Sequence, residues 1–563
     1  MSLEVLVAEA RSRWERKVNP DRPRVIISAG SCGIFAGARK VKAAVIDALK
    51  GLHVDASVEK TGCVGLCWAE PMVDIQLPGR PRVAYGPLTP AEAARLVEDV
   101  VGRGDPRVDK ALYVYADAPY EGIPPREKTD WFKLQYRITQ RNVGIIDPED
   151  LDDYLASGGY EGLARALTMT PAEVVEAVKK SGLRGCGGAA FPTGLKWEFC
   201  LRARGDEKYI ICNADEGNPG TWKDRLIMEG DPFQLIEGIT IAAYANGASR
   251  GFIYIRDEYP LASSRVRTAV EKLRARGLLG DKILGSGFSF ELIIRDGAGS
   301  YLCGEEMGLI SSLEGDRAMP RSRPPFPATN GLFYKPTVVN NVETLANVPQ
   351  IIARGWEWYA GLGTERSKGV RTITVSGAVR RPGGFELPFG IPLKTVIYDL
   401  AQADPADLKA VQMGGPASNI LPADFVATLP LGLDELRDAG TTIGSGGLVM
   451  LGQQTCIPNL VLQLMEFLRD ESCGKCFPCQ MGTRAYYNTL YRICRGEGRP
   501  EDLDFMLDIA PAVQFGSLCG HGQVAHVPVV DTITHFRHEY EVHIRERRCP
   551  QGVCELSPVA TAV

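Results

Sequence analysis

Two stretches of this 563-residue chain gather residue types able to hold a charged ligand or a metal. The first is Ser181-Gly-Leu-Arg-Gly-Cys-Gly-Gly-Ala-Ala-Phe-Pro-Thr-Gly-Leu-Lys196, closely followed by Asn213-Ala-Asp-Glu-Gly-Asn-Pro-Gly220. Gly185, Gly187 and Gly188 remove side chains where a backbone must approach a ligand, and consecutive free N–H groups in such a loop make an anion-binding concavity suited to a phosphate. The second is Cys473-Gly-Lys-Cys476-Phe-Pro-Cys479, with Cys519 in Ser517-Leu-Cys-Gly-His521 as a distant fourth thiol. Four cysteines can close a structural zinc site, but two x2 intervals in series favour a [4Fe-4S] cubane, whose corner ligands must converge on one face.

The elements that position these residues can be read around them. Gly185 to Ala190 satisfies G-x-G-x-x-A, which in a dinucleotide-binding Rossmann unit follows a strand. Here the preceding segment, Thr170-Pro-Ala-Glu-Val-Val-Glu-Ala-Val-Lys-Lys-Ser181, has an N-cap threonine, proline at the first helical position and helical apolar spacing. The loop therefore leaves a helix, and only the phosphate cradle is kept. Downstream, Tyr209-Ile-Ile-Cys212 reads as a buried strand delivering Asn213, Asp215 and Glu216. Carboxylates suit hydroxyls or ring nitrogens rather than the phosphate, so the expected guest is a phosphorylated sugar alcohol carrying a ring. Gly251–Arg256 and Phe288–Arg295 read as further strands around a helix from Ala262 to Gly277. They lead to Gly297-Ala-Gly-Ser-Tyr-Leu-Cys-Gly-Glu-Glu306 and to the polar turn Pro336-Thr-Val-Val-Asn-Asn-Val-Glu-Thr344. Polar turns recurring at strand ends mark the ligand edge of an open α/β sheet.

Composition bounds the rest. The length calls for several domains, and a net charge of −5 gives no nucleic-acid footprint. The N-terminus lacks a signal-peptide core, and the most apolar run, Gly446 to Leu468, is broken by Gln453, Gln454, Pro458 and Asn459, so no membrane insertion is expected. The expected compartment is the cytoplasm, where fifteen cysteines point to metal ligation or redox work. From the start of the chain, a strand at Arg24, a helix from Arg39 to Leu49, strands at His53–Val58 and Met72–Leu77 and a helix from Thr89 to Val101 outline a domain of about 100 residues. Asp105 to Thr129 reads as a surface linker that Tyr113, Tyr115 and Tyr120 could pin to a neighbour. Trp131 to Gly162 reads as a turn and then a helix with an acidic first turn.

Gly182–Lys196, Asn213–Arg225, Gly297–Glu306, Arg323-Pro-Pro-Phe-Pro327, Pro336–Pro349 and Glu471–Cys479 together resemble the NADH-binding flavoprotein subunit of respiratory complex I and its soluble relatives. Those relatives include NAD-linked hydrogenases, formate dehydrogenases and electron-bifurcating complexes, and the likeness spans about residues 130 to 545. The first hundred residues, with Gly62-Cys-Val-Gly-Leu-Cys67, resemble a thioredoxin-like [2Fe-2S] ferredoxin domain whose ligands lie as C-x4-C and C-x3-C. Cys32, Cys63 and Cys67 match three of them, and Gly37 stands at the fourth. Four thiolates are the usual requirement, so no ordinary [2Fe-2S] cluster is expected there; a docking domain and a cluster with a substitute ligand are the two readings.

The resemblance implies a multidomain α/β chain: a thioredoxin-like domain (1–104), a linker and docking segment (105–169), an FMN and nicotinamide nucleotide domain (170–368), a β-grasp domain (369–435), a helical [4Fe-4S] domain (436–545) and a tail (546–563). FMN is expected at Gly185, Gly187, Lys196, Asn213, Asp215, Tyr301, Gly304, Glu305, Asn340, Asn341 and Thr344. The nicotinamide nucleotide is expected at Phe191, Phe199, Glu306, Arg323 and Phe326, with the aromatics stacking on its rings. The cluster is expected on Cys473, Cys476, Cys479 and Cys519. In the tail, His543, Cys549 and Cys554 suit three ligands of a zinc site, with Cys456 as a candidate fourth; two inert thiols, or the stump of a ferredoxin extension, are the alternatives. Asn218 stands where complex I members have a glutamate that would repel a 2′-phosphate, which leaves NADP use open. Cys186 replaces an arginine common in the family's loop. The implied function is electron relay between NADH and iron–sulfur clusters through FMN, beside a small thioredoxin-like [2Fe-2S] subunit and an iron–sulfur or metal-cofactor catalytic subunit. A bifurcating flavoprotein and a non-catalytic scaffold are the alternatives.

Overall fold

The computed structural model describes residues 3–556, so the last part of the expected tail, 557–563, lies outside the described residues. Three sheets and a helical C-terminal region make up the chain.

The N-terminal sheet has strands β1 (Arg24–Ser28), β2 (Ser57–Thr61), β3 (Val73–Gln76), β4 (Val83–Tyr85) and β5 (Ala111–Val114), in the order β2-β1-β3-β4-β5. β1 runs parallel to β2 and antiparallel to β3. Helices Ala38–Gly51 and Pro90–Val97 pack together over it. Two expectations are corrected here. The strand placed at His53–Val58 begins only at Ser57, because His53 takes a left-handed φ of 55° and turns the chain. The stretch read as a surface linker contributes β5, which pairs with β4. It is held by buried Tyr113, whose ring meets Phe132 edge-on at 5.4 Å. Four residues among prolines, glycines and aspartates are too few for alternation to show.

The central sheet is wholly parallel: β6 (Tyr209–Ala214), β7 (Arg250–Ile255), β8 (Glu291–Asp296) and β9 (Thr337–Asn341), ordered β8-β7-β6-β9. β6 opens with the buried apolar run Tyr209–Cys212 because helices cover the sheet, among them Pro232–Asn246, buried along almost its whole length. All four strands point their carboxyl ends the same way, which gathers Asn213, Asp215, Arg256, Asp296 and Asn341 along one edge.

The third sheet joins β10 (Val370–Gly377), β11 (Gly383–Pro388), β12 (Leu408–Met413), β13 (Ile420–Pro422) and β14 (Gly447–Gly452), in the order β11-β10-β14-β12-β13. β10 and β11 pair as an antiparallel hairpin. The boundary expected at 435 moves, since β14 lies in the middle of this sheet, parallel to β10 and antiparallel to β12. Without it β10 and β12 would face each other across an unpaired gap. Helices Ile457–Asp470, Phe477–Cys494, Asp502–Gly516 and Val527–Glu541 complete the chain around their own apolar core. No helix among the described residues is long and apolar enough to cross a membrane.

Candidate functional site

The helix Pro171–Lys180 opens with the reciprocal cap its sequence promises: the Thr170 hydroxyl accepts from the Glu173 N–H, and the Glu173 carboxylate accepts from the Thr170 N–H. Its far end releases the glycine loop. The Gly185 N–H donates to Phe191 O at 2.8 Å, the Cys186 N–H donates to Thr344 Oγ1 at 2.8 Å, and Arg371 Nη2 donates to Cys186 O at 2.7 Å. Arg371 is buried against Glu343 at 3.4 Å. Lys223, also buried, reaches Glu343 at 3.3 Å, Asp224 at 2.6 Å and Asn341 Oδ1 at 3.1 Å. Two cations and two carboxylates thus neutralise one another behind the loop, the condition under which buried charge persists.

On the open side, the two central glycines are not required by the protein itself. A Cβ on Gly185 would come no closer than 3.5 Å to Phe191 O, and one on Gly187 no closer than 3.4 Å to Asn341 Cβ, both ordinary contacts. Gly182 and Gly194 differ, for there a methyl would meet Lys368 and Lys179 at 2.8 and 2.4 Å. At 185 and 187 a side chain would instead enter open space.

The strand ends face the same space. Asn213 Nδ2 donates to Gly304 O at 2.8 Å, and a Cβ on Gly304 would lie 3.3 Å from Asp215 O, so the two polar turns touch. Asp215 pairs through Oδ1 with Arg256 at 3.3 Å, while its buried Oδ2 has no partner. Burial pushes this carboxyl up to about 7, and the free Oδ2 is the atom left for a ligand hydroxyl. Asn340 is held by the Trp197 indole N–H at 2.8 Å. Three of the expected residues are engaged by the protein itself. Thr344 is fully buried and serves Cys186 from behind. Asn341 commits its amide to Asp224 at 2.6 Å and its carbonyl oxygen to Lys223 and to the Glu343 N–H. Glu216 accepts from the N–H groups of Asp224 and Arg225 and from Tyr259, capping the next helix instead of facing the ligand.

The outer wall carries the residues expected at a nicotinamide. Lys196 Nζ lies 3.1 Å from Val339 O and 3.2 Å from Glu306, and Arg323 bridges Glu306 at 3.0 Å and Glu305. Glu305 also accepts from the N–H groups of Met307 and Gly308, which fixes it at the start of its helix. Phe191, Phe199 and Phe326 are 42%, 48% and 56% exposed, so they are not core residues but faces left for a planar ligand. Lys196 and Phe199 share one side of the helix Thr193–Arg202, against which the helix following Phe326 packs.

Tyr301 links this cleft to the cysteines. Its hydroxyl donates to Asn218 Oδ1 at 2.7 Å, its N–H donates to Glu471 at 2.9 Å, and its ring lies 5.7 Å from that of His521. Glu471 is two residues before Cys473 and His521 two after Cys519. Lys475 adds a bond to Pro320 O at 2.8 Å. Burial raises Cys479 to about 11, with Cys476, Cys519 and Cys473 near enough to add to the rise.

Their spacing separates two kinds of metal site. Zinc–sulfur bonds of about 2.3 Å set tetrahedral sulfurs about 3.8 Å apart. Among the described residues, the groups whose ligand atoms all lie within 4.8 Å are Cys456, His543, Cys549 and Cys554, and separately Cys32, Cys63 and Cys67. The four cysteines at 473–519 are not among the groups drawn this close together. In the first group Cys456 Sγ is 3.4 Å from His543 Nε2 and 3.7 Å from Cys554 Sγ, and His543 Nδ1 is fixed by Glu539 O at 2.7 Å. That arrangement could hold a single ion, with the histidine oriented by a backbone carbonyl. In the second, hydrogen bonds from Cys63 and Cys67, with Arg225 behind them, hold the Cys32 thiol down at about 3.

Arg256, Glu471 and the Lys223–Glu343–Arg371 network carried no signal of their own in the sequence. Glu343 and Lys223 sit within the motifs quoted above, but nothing in a polar turn distinguishes a buried charge from a solvated one.

With this geometry in place, comparison with known proteins is informative. Residues 178–350 match the family model of the Nuo51 FMN-binding domain, and residues 459–543 match that of the NADH-ubiquinone oxidoreductase-F iron-sulfur binding region. The chain is 46% identical over 424 residues to the NADP-reducing hydrogenase subunit HndC of Solidesulfovibrio fructosivorans, covering 75% of this chain and 86% of the relative. It is 43% identical over 414 residues to the F subunit of the NADH-quinone oxidoreductase of Escherichia coli (strain K12), covering 73% and 93%. Among solved structures, an NAD+-reducing [NiFe]-hydrogenase in the H2-reduced state matches with a TM-score of 0.65 at 30% identity, over 96% of this chain and 88% of that one. Cradle, paired acids and the four cysteines at 473–519 thus fall within the matched segments, and the chain belongs to the family of NADH-quinone oxidoreductase F subunits and related hydrogenase subunits, with their FMN-binding and [4Fe-4S] regions.

Proposed function

We propose that this chain is the diaphorase subunit of a soluble redox complex, and that the cradle of Gly185 and Gly187 with Lys196, Asn213 and Asp215 holds FMN. The family's activity is NADH oxidation by a flavin and iron–sulfur subunit of a larger assembly, and this chain is an enzyme of that type. The observation that carries the assignment of residues is the pair of glycines that only a guest would forbid to have side chains, beside a buried carboxylate oxygen without a partner. Bound there, FMN would supply hydride acceptance and one-electron release, chemistry that no side chain offers.

The protein's part is placement. Loop N–H groups receive the phosphate, Asp215 accepts a ribityl hydroxyl, and the exposed phenylalanines leave a slot in which a nicotinamide ring can lie flat. Glu306 and Arg323 border that slot. Tyr301 ties the slot to the segments bearing Cys473 and Cys519, which are to hold the cubane with Cys476 and Cys479. Cys456, His543, Cys549 and Cys554 are to hold a structural zinc ion that anchors the tail to the helical region. Partners would be a small thioredoxin-like [2Fe-2S] subunit and a metal-containing catalytic subunit, and the cytoplasm the compartment.

The coenzyme has a second reading. Asn218 presents no carboxylate, and its oxygen is occupied by Tyr301, so no negative charge from this residue faces a 2′-phosphate. The test is dye reduction by the FMN-reconstituted full chain with NADH and then with NADPH. Activity with either supports the site and sets the coenzyme; inactivity with both overturns the assignment.

A further inference from the structure

The fold family of the N-terminal domain leads one to expect a two-iron cluster, and the residues present do not fit one. Gly37 stands at the fourth ligand position with a φ of +113°, and no atom lies within 4 Å of where its Cβ would be. Neither it nor a neighbouring side chain supplies a ligand at that point. The three remaining sulfurs lie within 4.8 Å of one another, with Cys32 and Cys67 only 3.5 Å apart. Two irons need two separated pairs of thiolates, whereas sulfurs around one tetrahedral ion sit about 3.8 Å apart.

We propose that Cys32, Cys63 and Cys67 bind one soft divalent cation, Zn2+, through three thiolates and one exchangeable ligand. Binding displaces the thiol protons to solvent. Three thiolates and a dication leave one net negative charge, and the Arg225 guanidinium, with Nη2 3.7 Å from Cys32 Sγ, faces it, while the buried carboxyl of Glu70, which also accepts from the Ser28 hydroxyl and the Met72 N–H, lies beside Cys63. Arg225 belongs to the central domain, on the helix Lys223–Gly230. From the same helix Glu229 accepts the Ser31 N–H at 2.7 Å and the Ser31 hydroxyl, next to Cys32. Gly62, beside Cys63, abuts Gly230 so closely that a Cβ would lie 2.6 Å from its Cα. The ion would therefore tie the segments at 31–37 and 62–67 together on the helix that Glu216 caps, making it a fastener between the two domains.

The test uses the full chain, iron-replete and freshly purified, with zinc, iron and acid-labile sulfide measured per chain. Cys63→Ser is expected to lose about one zinc with iron and sulfide unchanged. A matching loss of about two irons and two sulfides would identify a two-iron cluster, and unchanged metal content, or a Cys32–Cys67 disulfide in a non-reducing peptide map, would also overturn the proposal. Since Cys63→Ser could disturb the domain, Cys549→Ser/Cys554→Ser provides a second route that leaves the N-terminal thiols intact. Grown with Co2+, this variant should retain thiolate-to-cobalt charge-transfer absorption, and its absence would refute the site.

Discussion

Replacing Gly187 by alanine separates a loop shaped for the protein from one shaped for a ligand. The added methyl would meet the protein only at Asn341 Cβ, 3.4 Å away, and the residue is not in the left-handed region of φ. The apoprotein should accept it: a glycine-to-alanine change at a compatible position stabilises by about 0.4–1 kcal/mol through the unfolded chain. The loop's other side faces the proposed phosphate, where a methyl forced into close contact costs about 1–3 kcal/mol. The FMN dissociation constant should therefore rise roughly 5- to 150-fold. Quenching of FMN fluorescence on the deflavinated full chain measures the affinity, and thermal unfolding of the apoprotein measures the stability. Gly194→Ala should show the reverse pattern, with a loss of stability before any flavin is added, because its methyl would strike the Lys179 backbone at 2.4 Å. An unchanged FMN affinity in Gly187→Ala, or an apoprotein that melts several degrees lower, would refute the cradle.

Three further outcomes are expected. Asp215 has its carboxyl raised to about 7 by burial, so without flavin its contribution to stability is complete below the unfolded value of about 4 and is lost as pH rises through 7. Asp215→Asn should flatten the fall in apoprotein melting temperature over that window, and an unaltered slope would show that the group is solvated. Arg371→Met leaves Lys223 alone against the two buried carboxylates Glu343 and Asp224 and unpairs the carbonyls of Cys186 and Gly444, to which Arg371 donates at 2.7 and 2.8 Å, and should cost about 3–5 kcal/mol. Chemical denaturation checks this, with a change under about 0.5 kcal/mol contradicting a network that holds the loop. Cys519→Ser should remove the cubane, seen as loss of its iron and labile sulfide, yet leave FMN affinity within a few-fold; flavin loss in step with iron would mean that the two sites are not separate units.

Local chemistry wrote much of this protein into its sequence. The threonine cap and Pro171 fixed the helix before the glycine loop, and the apolar run of β6 followed by Asn213 and Asp215 declared a buried strand with a polar end. The interval between Cys473, Cys476 and Cys479 declared convergent thiols. Such signals are legible because they depend on neighbours within a few residues. What the sequence left undecided depends on distant partners. Whether Thr344 and Asn341 face a ligand or the back of the loop was settled by Arg371, Lys223 and Glu343 meeting behind it. Whether 436–456 belongs with the helices or the third sheet was settled by β14 filling the gap between β10 and β12. The fourth member of the Cys456–His543–Cys549–Cys554 group comes from a helix cap 87 residues before its histidine. Burial and charge pairing are properties of the packed chain, and a lysine, an asparagine or a cysteine looks the same in sequence whichever side of the core it comes to occupy.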